Sequence, residues 1–322
     1  MLLGNLTVRA VKALEKIYPE QEARAIAARL SEALLGVAPY KYITDSGLSV
    51  PDNAAEEFAA AMKRLETGEP LQYVLGFADF CGRRFNVGPE VLIPRQETEI
   101  LCAETAAEVR RMMCSAANSS AAEETRRMRI LDLCTGSGCI AWTLALDLPG
   151  VSVLGADISA AALKTASSQA DAVQESGSTD GAALTLAGEA AASGASVPEF
   201  MMYDVLSGAE GFPGMYDVLV SNPPYVRDSE KALMHDNVLC HEPHLALFVP
   251  DDDPLKFYSA LADFAKKRLL PGGFGMVEIN EAFGSAVAGI FLSAGMSEVA
   301  VVNDFGGKNR FVRFRKPASG AL

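Results

Sequence analysis

From residue 130 onward the chain alternates between two hydrophobic periods. Apolar runs of strand length (130–133, 151–157, 216–221 and 275–279) are separated by segments of helical period beginning near Gly138, Ala160, Pro254 and Phe283. Strands divided by helices cannot be joined as hairpins, so the sheet they build is mostly parallel. Two further runs, 299–302 and 310–314, follow the last helix with a short link and are expected to pair antiparallel. The pattern commits the chain from about residue 96 to an α/β fold: a Rossmann-like, mostly parallel sheet with an antiparallel terminal strand.

The chain before that point reads differently. Residues 1–71 predict a small helical bundle. Val11, Leu14, Ile17 and Tyr18 share one stripe, Ile26, Leu30 and Leu34 a second that Gly36 ends, and Phe58, Met62 and Leu65 a third closed by Gly68 and Pro70. Over 72–95 the β-prone runs Tyr73-Val74-Leu75 and Arg84-Phe85-Asn86-Val87, divided by Gly76 and Gly82, predict a hairpin linker. The α/β domain, 96–322, opens with a helix from about Thr98 to Met113 followed by a Ser/Ala stretch. Between Ser176 and Pro198, 15 of 23 residues are Ala, Gly or Ser, which predicts a mobile surface insertion too poor in large apolar side chains to pack.

Charge narrows the partners. The chain holds 28 Lys and Arg against 41 Asp and Glu; the first 85 residues carry 10 and 11 of these, the remainder 18 and 30. An acidic α/β domain lacks the clustered cations of a broad phosphate-binding surface, so direct nucleic-acid binding is not expected. The six cysteines (Cys81, Cys102, Cys114, Cys134, Cys139, Cys240) form no C-x-x-C pair and read as scattered buried thiols. No metal site is expected, since His241 and His244 have no companion cluster. Without a signal-peptide block or a run of about 20 apolar residues, a cytoplasmic protein with no membrane contact is expected.

Two motifs carry chemistry. Asp132-Leu-Cys134-Thr135-Gly136-Ser137-Gly138 follows a strand and opens a helix, so its glycines let backbone approach a ligand at a helix N-terminus. Asp157 ends the next strand, placed to accept both hydroxyls of an adenosine ribose. These residues fit a nicotinamide dinucleotide and S-adenosylmethionine alike. The second motif favours the latter. The apolar run 216–221 leads into Asn222-Pro223-Pro224-Tyr225, where prolines remove backbone donors and leave carbonyls without local N–H competition. An amide at Asn222 and a carbonyl at Pro223 complement a planar NH₂ group, and the Tyr225 ring could stack on its plane.

Asn-Pro-Pro-Tyr resembles the signature of S-adenosylmethionine-dependent amino methyltransferases. With the stretches Gln72–Gly76, Phe80, Phe85, Val91-Leu92-Ile93-Pro94-Arg95, Glu97-Thr98-Glu99, Glu242-Pro243, Ala246-Leu247 and Asp304-Phe305-Gly306…Asn309-Arg310, the chain is similar to the bacterial protein-(glutamine-N5) methyltransferases of class I peptide chain release factors. That resemblance covers roughly residues 70–316, and the N-terminus only by size and pattern. It implies a class I S-adenosylmethionine-dependent methyltransferase fold with a small N-terminal helical bundle for substrate recognition. It also implies methyl transfer to the glutamine N5 of a Gly-Gly-Gln motif by a monomeric enzyme. Cys134, Thr135, Gly136, Ser137, Gly138, Asp157, Asp204, Val205 and Asn222 would bind cofactor. Asn222, Pro223, Pro224 and Tyr225 would bind the substrate, with Asn222 and the Pro223 carbonyl orienting the nitrogen. Two departures stand out: Cys134 replaces the usual first loop glycine, and Gln96 the proline after Pro94-Arg95. Alternatives are a ribosomal-protein glutamine, adenine N6 or another nucleic-acid amine as the acceptor, a nicotinamide oxidoreductase, and a cofactor-binding adaptor without catalysis.

Overall fold

The structure, a computed structural model, describes residues 2–38, 41–117, 126–174 and 184–318. They fall into two compact units: Met1–Phe77 with Met234–Glu242, and Ala78–Leu233 with Pro243–Leu322.

In the first unit the long helices are α1 (Leu3–Leu14), α2 (Glu20–Leu35) and α3 (Asp52–Leu65). Their core is Leu6, Ala10, Leu14, Ala23, Ala27, Leu30, Phe58, Met62 and Leu65. Ile17, read above as part of the first stripe, lies past the end of α1 and is 45% exposed. Residues 73–75 are not a strand. Leu71–Leu75 makes one helical turn, α4, because Pro70 precedes its start and Gly76, at φ 80°, closes its end.

The hairpin therefore begins later, as β1 (Phe77–Phe80) and β2 (Arg83–Asn86). After α5 (Gln96–Ala117) come β3 (Arg129–Leu133), α6 (Cys139–Asp147), β4 (Ser152–Asp157) and α7 (Ala160–Ser168). Residues 176–183 of the Ala/Gly/Ser-rich stretch lie outside the described residues, and the remainder carries a short helix. Thr185 caps α8 (Leu186–Ser193) through the Gly188 amide, and Leu186 and Ala190, one turn apart, are buried. Glu189 pairs with Arg83 at 2.7 Å. Two apolar side chains on one face suffice to seat this two-turn helix.

The chain continues through β5 (Glu199–Met202), β6 (Tyr216–Ser221), α9 (Lys256–Arg268), β7 (Leu269–Glu278), α10 (Gly284–Ser293), β8 (Ser297–Asn303) and β9 (Asn309–Arg315). The seven-stranded sheet runs β8-β9-β7-β6-β3-β4-β5. Its pairs from β7 through β5 are parallel, and β9 runs antiparallel between β7 and β8, as the short link requires. Strand period divides the core. Ile130, Val218, Val220 and Met276 pack with α5, α6 and α8 on one face; Leu131, Leu219 and Val277 pack with α9 and α10 on the other. Each such side chain contributes about 1.5–3 kcal/mol on burial. Because these strands are parallel, Leu133, Asp157, Ser221 and Glu278 end on one edge of the sheet, and the strand order reverses between β3 and β6. Open α/β sheets bind ligands at that edge. Among the described residues, no helix is long and apolar enough to cross a membrane.

Candidate active site

The loop after β3 alternates its backbone. Cys134, Gly136 and Gly138 take φ of 60°, 54° and 78°, in the left-handed region that favours glycine. A cysteine there costs on the order of 1 kcal/mol, so surrounding bonds must hold it. Thr135 donates its hydroxyl to Asp132 Oδ2 at 2.6 Å and its N–H to the Ala156 carbonyl at 3.1 Å. Gly136 N–H reaches Asp157 Oδ2 at 2.9 Å. The Gln169 amide donates to the Ser137 carbonyl at 3.1 Å. Gly138 serves packing as well as conformation: a Cβ there would lie 2.9 Å from Ala166 Cβ and 3.1 Å from the Phe200 ring.

Two carboxylates flank the loop. Asp157 also accepts the Ser159 N–H at 2.9 Å; burial lifts its carboxyl above the usual range, and the backbone donors of Ser159 and Gly136 hold it down. Asp132 is fully buried, and among the described residues its Oδ1 has no partner within ordinary hydrogen-bond geometry. Burial pushes its carboxyl up to about 7, against the Thr135 hydrogen bond. An acid raised in the folded state keeps its proton longer than in the unfolded chain, so stability falls as pH rises from about 4 to about 7. Replacing it should remove that slope. Between pH 4 and pH 8 the unfolding free energy of Asp132→Asn is expected to gain about 2–4 kcal/mol on the parent, measured by denaturant titration at each pH. A constant difference across that range would refute the assignment.

At the tip of β6, Ser221 donates to the Leu133 carbonyl at 2.6 Å, tying β6 to β3. Asn222 Nδ2 donates to Thr98 Oγ1 at 3.2 Å, and Thr98 Oγ1 donates to Glu278 Oε2 at 2.7 Å. The Tyr225 hydroxyl donates to Glu278 Oε1 at 2.9 Å, and Asn280 Nδ2 holds the Tyr225 carbonyl at 3.2 Å. Burial raises the Glu278 carboxyl, opposed by the Thr98 and Tyr225 hydrogen bonds and the Arg310 charge. Burial and the nearby Glu278 push the Tyr225 phenol well above its ordinary value.

A cavity of about 230 Å³ opens between these tips. Of the residues singled out from sequence, Cys134, Thr135, Gly136, Ser137, Asp157, Asp204, Val205, Asn222 and Pro224 line it. Gly138, Pro223 and Tyr225 do not: Gly138 packs against α7, and the Tyr225 hydroxyl turns to Glu278. Asp204 also caps the turn that follows it, accepting the Leu206 N–H at 2.9 Å. Leu92, Pro94, Arg95, Pro243 and Ala246, known from sequence only through resemblance, form more of the wall, and Thr98 joins them. Thr98 enters the sequence reading only within the resembling stretch Glu97-Thr98-Glu99 and as a helix start, and Glu278 only inside the apolar run 275–279. The signal for Glu278 is a lone acid inside the apolar run 275–279, ending its strand as Asp157 ends β4.

The strand order, the loop at the tip of β3 and Asn-Pro-Pro-Tyr at the tip of β6 define a class I methyltransferase. Residues 5–76 match the PrmC N-terminal domain. A release factor glutamine methyltransferase of Bacteroides thetaiotaomicron is 35% identical over 311 residues, 96% of this chain and 99% of that protein. Its counterpart in Chlorobaculum tepidum is 36% identical, over 88% of this chain and 87% of its own. Among solved structures, a release-factor-specific protein-(glutamine-N5) methyltransferase from Alicyclobacillus acidocaldarius is 25% identical with a TM-score of 0.38, covering 72% of this chain and 99% of its own. The chain belongs to the release factor glutamine methyltransferase family.

Proposed function

We propose that this protein transfers a methyl group from S-adenosylmethionine to the side-chain nitrogen N5 of the glutamine in the Gly-Gly-Gln motif of class I peptide chain release factors. The observation that carries the reading is Asn222, held at the cavity wall by Thr98 with its Oδ1 free of hydrogen bonds among the described residues. The residues present fit the cofactor: Cys134, Thr135, Gly136, Ser137 and Asp157 all line the cavity. Bound there, S-adenosylmethionine supplies a methyl carbon on a cationic sulfur.

Residues 134–137 hold the methionine end through backbone groups, Asp157 accepts the ribose hydroxyls, and Asp204 and Val205 flank the adenine. An amide nitrogen is a poor nucleophile because its lone pair is delocalised into the carbonyl. Asn222 Oδ1 and the Pro223 carbonyl accept its two N–H bonds, directing the lone pair at the methyl carbon. The bound cofactor would supply the methyl carbon and keep the C–S electron pair on sulfur, and the product amide would lose its extra proton to water. None of the lining residues is a histidine, and positioning is the main contribution. The helical N-terminal unit recognises the factor.

The test incubates protein and labelled S-adenosylmethionine with a release factor, its Gln→Ala variant at Gly-Gly-Gln, a ribosomal-protein mixture and DNA. Label on the intact factor alone is expected. Equal label on the variant, or label confined to the other two, would overturn the reading.

A further inference from the structure

Glu278 sits 1% exposed at the end of β7, beside the tip of β6 that carries Asn222. One of its oxygens receives the Thr98 hydroxyl, the other the Tyr225 hydroxyl. Both hydroxyl protons point toward the carboxyl oxygens. Thr98 has one proton. Having given it to Glu278, its oxygen can face Asn222 only as an acceptor, and the Asn222 atom at 3.2 Å must be the NH₂ group. The amide's other end, Oδ1, is thereby left to the cavity.

We propose that Glu278 is a positioning residue that fixes which end of the Asn222 amide meets the substrate nitrogen. The inference rests on the methyl-transfer reading above. A substrate NH₂ group donates, so it needs Oδ1 opposite; an Asn222 turned by half a rotation would set NH₂ against NH₂. Apart from the Thr98 contact, Asn222 makes no side-chain hydrogen bond within the described protein, so the Glu278-to-Thr98 chain carries the choice. A glutamine at 278 would keep the volume and can reverse the chain. Its amide would donate to Thr98, the Thr98 proton would turn to Asn222 Oδ1, and its remaining oxygen would still receive Tyr225.

The test compares the parent, Glu278→Gln, Thr98→Val and the double variant, each with intact release factor. For Glu278→Gln a fall in kcat of about tenfold or more is expected, with KM for the factor, Kd for S-adenosylmethionine and Tm near parental values. Thr98→Val should also lower kcat, and the double variant should be no slower than the slower single, since both break one chain. Parental kcat in Glu278→Gln, or losses that appear in Kd and Tm instead of kcat, overturn the inference. So do multiplicative losses in the double variant. Should Glu278→Gln fail to fold, Thr98→Val decides alone, and parental kcat there overturns it. A parent inactive on every acceptor overturns the functional reading and this inference with it; an active parent beside an equally active Glu278→Gln overturns the inference only.

Discussion

Asn222→Ala is expected to lower kcat for the Gly-Gly-Gln glutamine by about 100-fold or more, the scale of losing one preorganised hydrogen-bonding group at a reacting centre. The side chain touches Thr98 and otherwise faces the cavity, so its removal opens no core void. Cofactor binding should change far less than turnover, because the loop at 134–138 and Asp157 hold their geometry without it. Single-turnover methylation together with calorimetric titration of S-adenosylmethionine separates the two. Parental turnover in the variant would exclude Asn222 from orienting the nucleophile.

Asp157→Ala is expected to do the reverse, weakening S-adenosylmethionine binding by about 100-fold. Its two oxygens hold the N–H groups of Gly136 and Ser159, and hydrogen bonds to a charged group are worth about 1.5–3 kcal/mol each. Losing them frees the strained loop at the same time as it removes the ribose acceptor. Calorimetric titration measures Kd, and turnover at saturating cofactor should recover much of the parental rate. A Kd within a factor of two or so of the parent would remove Asp157 from the cofactor site.

The two catalytic-face variants differ in how visible their residues were beforehand. Asp157 and Asn222 announce themselves locally, each ending an apolar run at the length a strand needs. The run 216–221 was read to its last residue because all six of its side chains are buried and periodicity has nothing to compete with. Leu71–Leu75 shows the opposite case. Its Tyr and Val favour a strand, yet Pro70 and Gly76 bracket one helical turn, and capping outweighed propensity. β5 leaves no alternation in the sequence, because its burial is only partial. The support beneath Asn222 was beyond any local pattern: Thr98 meets Glu278 across 180 residues of chain, and Asn222 meets Thr98 across 124. Only the sheet order brings those three together.

Cys134 repeats the lesson from the other side. Its departure from the family glycine was plain in the sequence, but not that the backbone there stays at φ 60° regardless. The loop is shaped by its bonds to Asp132, Ala156 and Asp157, and the cysteine conforms to them.

The helical unit has a consequence in time. It is built from Met1–Phe77 and from Met234–Glu242, with 156 residues of the other unit in between. At roughly 5–20 residues per second, a ribosome delivers that last piece about 8–30 seconds after the first. The core of the three long helices, drawn wholly from residues 6–65, is complete before that piece is made, so the helices can pack while the sheet is still being synthesised.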